Sequence, residues 1–457
     1  MKNKSISIRE KDGPMRAIAN LFTRISEKYL PDAFVFLFFL SLVVLGLGIY
    51  WEPNHSVRTV IDYWNTGFFS IMSFTYQIIL VMVTGFSLAH TPFVKKAIVS
   101  FTRIPKTEAQ VIVTTTLVAM LGSWISWGFG LVVGGIVARE MGIAHRGKVH
   151  YPLIVAAAYA GFIVWHAGYG GSIPTVIASP DHFLISEIGV VPVTETIFSP
   201  FNLILLLAVV IVVPFSLVMM RPKPEEKRVG LPESEIAEGD DTHEEPVKKQ
   251  DMTPAEKLEK SRYIPLILGA MAMASLVSYF VAGGAVNINS VIMSFFAFGL
   301  LLAPSIREYI HYCVKGAAAS SGIIIQFPFY AAMMGVIAST GMAADLGGAL
   351  VSIATKDTLP FLSFISAGII NFFIPAGGGQ WVMQGPIVVE AANQLNASIP
   401  RVAMAVAWGD AWTNMVQPFW ALPLLAIAGL NIRSIMGYTA LVLIVSGVVI
   451  SLGVLIL

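Results

Sequence analysis

The stretch from Asn371 to Glu390, NFFIPAGGGQWVMQGPIVVE, limits what the rest of the chain can fold into more than any other. An apolar run that suits a helix, Leu359 to Phe373, meets Pro375 and then three consecutive glycines, Gly377, Gly378 and Gly379. A second apolar run follows, carrying Gln380, Gln384 and Pro386. Proline has no N–H to continue a helix and glycine has little steric preference, so a break is predicted there. A break inside apolar sequence strips backbone groups of partners. In a bilayer this is tolerated only where protein or a water-filled cavity satisfies them. Carriers use such breaks to aim helix-end N–H and C=O groups at ions and substrates. The plainer alternative is a glycine-rich turn between two closely packed helices.

The setting favours the bilayer. Of 457 residues, 56% are hydrophobic and 12% charged, with a mean hydropathy of +0.74. Soluble domains carry about a quarter charged residues, so this composition reads as a polytopic membrane protein. The single cysteine, Cys313, excludes an internal disulfide and offers no metal cluster. No phosphate-binding G-x-x-x-x-G-K-[ST] loop, His/Cys metal spacing or nucleophile elbow is present, which argues against an ATP-driven pump and against an enzyme. No cofactor is expected beyond a coupling ion, Na⁺ or H⁺.

Lysine and arginine placement orients the chain. Residues 1–31 hold seven Lys/Arg and a mildly amphipathic pattern (Ile18, Leu21, Phe22, Ile25), expected to lie on the cytoplasmic surface. Ala33–Tyr50 reads as a retained span, and the following loop carries only Arg58. Gly67–His90 spans next, and Lys95, Lys96, Arg103 and Lys106 mark an inside loop. Ala109–Ala138 is about thirty residues long and ends at Arg139, Arg146 and Lys148, again on the inside. Two crossings would need about 40 apolar residues, so a re-entrant hairpin with its tip near Ser123–Gly130 is predicted. Tyr151–Ser179 crosses outward with an interruption at His166–Pro174, and Asn202–Met220 returns.

Residues 221–262 mix nine Lys/Arg with twelve Asp/Glu and several prolines, and are expected to form a disordered cytoplasmic linker. The predicted divisions are therefore 1–31, a first repeat over 32–220, the linker 221–262, an extra crossing over 263–283, and a second repeat over 284–457. The two sides match at a constant offset of 249 residues. Arg58, Ile61, Tyr63 and Gly67 pair with Arg307, Ile310, Tyr312 and Gly316, Gln77 with Gln326, Gly128 and Gly130 with Gly377 and Gly379, and Pro174 with Pro423. The extra crossing would invert the second half. Inverted repeats whose broken helices meet near the midplane describe many secondary transporters.

Four interrupted segments should converge: Ser123–Gly130, His166–Pro174, Asn371–Gln384 and Asp410–Pro418. Apart from the phenol of Tyr169, His166 and Asp410 are their only titratable side chains, and they hold no Lys or Arg. An intramembrane carboxylate is costly, which makes Asp410 a candidate for ion coupling, with Thr413, Asn414 and Gln417 as oxygen ligands for a hard cation. The alternative is a helix-capping aspartate. His166 could donate to an anionic substrate or carry a proton, or it could simply be hydrogen-bonded in a core. Glu140 and Glu390 are expected at exposed hairpin ends, and Trp412 and Trp420 are expected to pack. Without arginine a dianion is poorly served, whereas a small monoanion suits glycine-turn N–H groups with serine and glutamine. The candidate substrate site is Ser123, Ser126, His166, Gly170, Gly171, Ser172, Gly377, Gly378, Gly379, Gln380 and Gln384.

Three long segments also carry a resemblance. FFIPAGGGQWVMQGPIVVEAA (Phe372–Ala392), HAGYGGSIPT (His166–Thr175) and GDAWTNMVQPFWALPLLAIAGL (Gly409–Leu430) resemble the bacterial short-chain fatty acid transporter family, whose archetype carries acetoacetate and butyrate. The resemblance covers essentially the whole chain. It implies a multi-pass inner-membrane carrier within an ion-transporter superfamily of dimeric, elevator-type proteins with two re-entrant hairpins. That superfamily's best-known members have Ser-Asn-Thr at the hairpin tips. Here the tips read Ser123-Trp124-Ile125-Ser126 and Pro375-Ala376-Gly377-Gly378.

The expected fold is thus an all-α polytopic membrane protein, an inverted-repeat secondary transporter with two re-entrant hairpins and two interrupted transmembrane helices. The expected function is cation-coupled symport of short monocarboxylates by a homodimer that binds no nucleic acid. The alternatives are a dicarboxylate or amino-acid exchanger and an anion channel.

Overall fold

A computed structural model describes residues 33–222, 228–231, 252–372 and 374–457. The basic N-terminal stretch, and with it the amphipathic surface segment expected there, lies outside them. The described chain is helical, with no strand among the described residues. Eight of its helical stretches are long and apolar enough to cross a membrane.

The first half runs α1 (Ala33–Trp51), α2 (Val57–Phe68), α3 (Met72–Ala89), α4 (Pro92–Phe101), α5 (Glu108–Ile125), α6 (Trp127–Ala144), α7 (Tyr151–Ala160) with a 3₁₀ turn (Gly161–Ala167), α8 (Ser172–Ile177), α9 (Ile185–Ile188) and α10 (Pro200–Met219). After α11 (Pro254–Glu259) comes the unpaired α12 (Tyr263–Val281). The second half repeats the order: α13 (Ile288–Leu302), α14 (Ile306–Ala319), α15 (Ser321–Ser339), α16 (Met342–Ile353), α17 (Leu359–Ile370), α18 (Gly377–Leu395), α19 (Ile399–Thr413) with a 3₁₀ turn (Asn414–Val416), α20 (Pro418–Ala428) and α21 (Met436–Ile456). The first residues of α2 and α14 lie 249 positions apart, as do those of α3 and α15. The repeat expected from the sequence is therefore present in the order and spacing of its main helices, with α12 as the helix that has no partner.

Local chemistry sets the helix ends. Ser56, Ser199 and Ser305 cap α2, α10 and α14 by accepting backbone N–H groups, and Thr107 with Gln110 forms a reciprocal capping box on α5. Prolines open α4, α10 and α20, where a missing N–H costs nothing.

The core lies where the interrupted helices meet. Every residue of α7 and of the following 3₁₀ turn is buried. The outer helices instead present apolar stripes at helical spacing, Leu207, Ile211 and Phe215 on α10 and Ile444, Val448 and Leu452 on α21, as lipid contact requires. Helices α2 and α15 cross at bare backbone: a Cβ on Gly67 would come within 2.7 Å of the Ala331 carbonyl oxygen.

Several expectations are corrected. The supposed loop before Gly67 is largely the amphipathic helix α2, which Ser56 caps. The first hairpin consists of two 18-residue helices, each about 27 Å long by helical rise, hinged at the single extended residue Ser126. Counting apolar residues understated it, because its polar ends are also helical. The linker expected over 221–262 falls largely on residues 223–227 and 232–251, outside the described residues, but the described ends of the segment make fixed contacts. Arg228 pairs with Glu108 at 3.0 Å, Val229 accepts the Tyr151 N–H at 2.8 Å, and Thr253 caps α11. Mixed charge predicted solvation, but Glu108 and the free N–H groups opening α7 offer fixed partners.

Candidate functional site

The second hairpin turns at residues 371–376. Ala376 is extended (φ −154°, ψ 107°), and Gly377, Gly378 and Gly379 form the first turn of α18. The glycines are thus helical and lie in no loop. Their value is close approach, since each is pressed against a neighbour that a side chain would meet. A Cβ on Gly377 would clash with His166 Nε2 and lie 2.8 Å from Trp165 Cη2. On Gly378 it would lie 2.9 Å from Phe74 Cζ, and on Gly379 2.8 Å from Tyr330 Cδ2. Gln380 N–H already bonds to Ala376 O at 2.7 Å, so the N–H groups opening the turn are those of the glycines.

His166 sits in the 3₁₀ turn after α7, completely buried. Its Nδ1 lies 2.9 Å from the Ala407 carbonyl and its Nε2 3.3 Å from Ser172 Oγ. Nδ1–H donating to Ala407 leaves Nε2 to accept from the serine. The interruption begins at Gly161, five residues ahead of the expected start, because the chain tightens into 3₁₀ geometry before the glycines. Gly170 N–H donates to Trp124 O at 2.9 Å, which ties the break to the first hairpin tip, and a Cβ on Gly171 would press on the His166 carbonyl at 2.6 Å.

Asp410 lies in the last turn of α19, ahead of the break at Asn414–Gln417. It is 1% exposed, and neither carboxylate oxygen has a hydrogen-bond partner. Its Oδ2 is 3.9 Å from His166 Nδ1. A capping role would need a nearby donor on the carboxylate, and the described residues supply none.

Asn371, which the sequence reading did not single out, organises this end. Its Nδ2 places two hydrogens, one of them shared, among Asp410 O (2.8 Å), Thr413 Oγ1 (2.9 Å) and Asn414 Oδ1 (2.8 Å), and its own carbonyl accepts from Gln417 Nε2. Asn371 Oδ1 and Gln417 Oε1 remain buried without partners, as does Gln380 Oε1. Tyr159, also missed, donates its hydroxyl to Asn414 O at 2.6 Å. Asn202 on α10 braces the other break, donating to Ala167 O at 3.0 Å while accepting from Trp408 Nε1 at 3.0 Å. A polar residue at a helix end within apolar sequence was the available signal for both asparagines.

The sequence-predicted residues therefore divide. His166, Ser172 and Gly377 meet directly, and Asp410 stands beside them, with Thr413, Asn414 and Gln417 joined through Asn371. Gln380 donates to Ala367 O (3.0 Å) and Gln384 Oε1 (3.0 Å), and Gln384 in turn to Ser366 Oγ (2.9 Å), so these glutamines brace the hairpin from within. Ser123 is buried with its carbonyl against Gly170, and Ser126 Oγ, without a partner, faces Gly85 on α3. Their contacts lie with α3 and the Gly168–Gly171 segment rather than with His166. Trp412 donates to Leu443 O at 2.7 Å and packs on Phe364, and Trp420 packs on Trp127 at 5.2 Å. Glu140 and Glu390 lie away from the site, engaged with Arg139 and Gln394.

Solved structures share this architecture. The Alcanivorax borkumensis YdaH transporter superposes with a TM-score of 0.55 at 14% identity, covering 93% of this chain and 97% of that one. Neisseria gonorrhoeae MtrF, described among antimetabolite efflux pumps, gives 0.56 at 16%, covering 95% and 97%. At such identities the likeness concerns the fold. Sequence relatives are nearer. One in Escherichia coli (strain K12), named for short-chain fatty acid transport, is 38% identical over 437 residues, 95% of this chain and 98% of its own. Another in Haemophilus influenzae, named likewise, is 36% identical over 445 residues, with the same coverage. Residues 15–457 match the family described as Short chain fatty acid transporter. With an all-helical inverted repeat, two helical hairpins and homology along nearly its whole length, the chain is a membrane transport protein of the short-chain fatty acid transporter family.

Proposed function

We propose that the protein is a secondary active symporter of acetoacetate, butyrate and similar small monocarboxylates, coupled to Na⁺ or H⁺ through Asp410. It would act as a homodimer in the bacterial inner membrane with its N-terminus in the cytoplasm. The observation that carries this reading is a buried carboxylate without hydrogen-bond partners, 3.9 Å from His166, beside a glycine helix turn that presses on the same imidazole. The glycine N–H groups would hold the substrate carboxylate, with the Ser172 hydroxyl turning from His166 Nε2 to donate to it. A lone negative charge in hydrocarbon costs several kcal/mol unless a cation or proton neutralises it. The unpartnered oxygens of Asn371 and Gln417 are the donors a Na⁺ ion would use beside Asp410. The absence of Lys and Arg from the interrupted segments disfavours the dicarboxylate and amino-acid alternatives.

Uptake of labelled butyrate into proteoliposomes, with Na⁺ and pH gradients imposed separately, tests the reading. Accumulation above equilibrium under one gradient is expected. Uptake that only equilibrates under either gradient would favour the channel alternative.

A further inference from the structure

The glycine turn of α18 has two unlike sides. Gly377 faces the His166 imidazole and Trp165, whose buried indole N–H has no hydrogen-bond partner. Gly378 faces aromatic carbon alone: a Cβ there would lie 2.9 Å from Phe74 Cζ and 3.4 Å from both Cε1 and Cζ of Phe327. Gly379 continues the wall against Tyr330. The two phenylalanine rings are buried, 6% and 1% exposed, with centroids 5.9 Å apart at an interplanar angle of 45°. Phe183 also packs on Phe74, at 5.8 Å between ring centroids. Phe74 comes from α3 and Phe327 from α15, equivalent helices of the two repeats, whereas the glycines belong to the hairpin.

We propose that Phe74 and Phe327 set the chain-length limit of the substrate by walling the apolar side of the seat at Gly378. This rests on the monocarboxylate reading and adds the residues that choose among monocarboxylates. A carboxylate on the glycine N–H groups projects its alkyl tail away from the His166 side, and at Gly378 the described residues on that side are Phe74 and Phe327. Rings have rigid shapes and two torsions, so the wall discriminates length in a way that a methionine-lined pocket would not. Each methylene that the wall refuses costs its transfer energy, equivalent to about a fourfold change in apparent affinity.

The test is inhibition of labelled butyrate uptake in proteoliposomes by unlabelled straight-chain acids from acetate to octanoate. It compares wild type, Phe74→Leu, Phe327→Leu, Gly378→Ala and the pair Gly378→Ala/Phe74→Leu. The leucine variants are expected to admit longer acids, gaining about fourfold in inhibition per methylene accommodated. Gly378→Ala is expected to shift preference toward acetate, and Phe74→Leu to restore it. Because the two leucines lie on different helices, failure of one to fold leaves the other to decide. Wild type that discriminates by length, with leucine variants that transport butyrate at an unchanged cutoff, would overturn the inference alone. Wild type indifferent to every acid in the series would overturn the monocarboxylate reading and the length gate with it.

Discussion

His166 Nδ1 lies 3.9 Å from Asp410 Oδ2 but 2.9 Å from the Ala407 carbonyl, so the imidazole is bonded to backbone and leaves the carboxylate without a hydrogen bond. At 3.9 Å the pair is beyond hydrogen-bond length. The histidine is fixed to backbone beside the glycine turn, and the aspartate is left without a hydrogen-bond partner among the described residues.

Asp410→Asn should therefore remove the ion requirement together with concentrative uptake, while exchange of substrate down its gradient persists, because the glycine turn is untouched. The measurement is initial uptake against Na⁺ concentration and against pH for both proteins. An unchanged dependence on both would exclude Asp410 as the coupling residue.

Gly377→Ala pushes a methyl group into His166 Nε2 and against Trp165. Displacing either partner by about 1 Å should lower uptake on the order of 100-fold. Folding is checked separately by elution as a single species, because Trp165 also packs on Phe162 and Trp420 and His166 also bonds the Ala407 carbonyl. Wild-type uptake by a folded Gly377→Ala protein would return the turn to a packing role.

Asn371→Ala removes the donor shared by Asp410 O, Thr413 Oγ1 and Asn414 Oδ1. Leaving buried acceptors unsatisfied costs about 1–3 kcal/mol each, so a destabilisation of about 2–4 kcal/mol is expected after partial relaxation. Thermal unfolding in detergent reads it. A Tm equal to wild type would show that these bonds contribute nothing net.

If, as proposed, the N-terminus is cytoplasmic, lysine and arginine placement predicts the 221–262 linker inside and, with α12 as the odd crossing, Leu457 outside. A reporter fused after Leu457 should read periplasmic and one inserted near Gly239 cytoplasmic. Both on one side would contradict an inverted arrangement in the membrane.

Much of the architecture was legible because it follows from composition and periodicity. Apolar length marked the spans, and Pro375 with three glycines marked the second hairpin turn. The 249-residue offset matched α2 with α14 and α3 with α15. Pattern also picked out His166 and Asp410, because a titratable group in apolar sequence is rare enough to count. The boundaries of the breaks shifted, since 3₁₀ geometry at Gly161–Ala167 and the helical state of Gly377–Gly379 depend on packing against other helices.

What the sequence by itself determined is the outline: the apolar spans, the approximate places where they are broken, and His166 and Asp410 within those places. Tertiary structure alone decided their partners. Asn371 became the hub of one break and Asn202 the brace of the other, because each meets carbonyls brought from about 40 residues away or from another helix. Phe74 and Phe327, 253 positions apart, form one wall because the repeats fold against each other. Hydrogen bonds and ring contacts act over a few ångströms in space, and sequence spacing constrains that distance only within a single helix or turn.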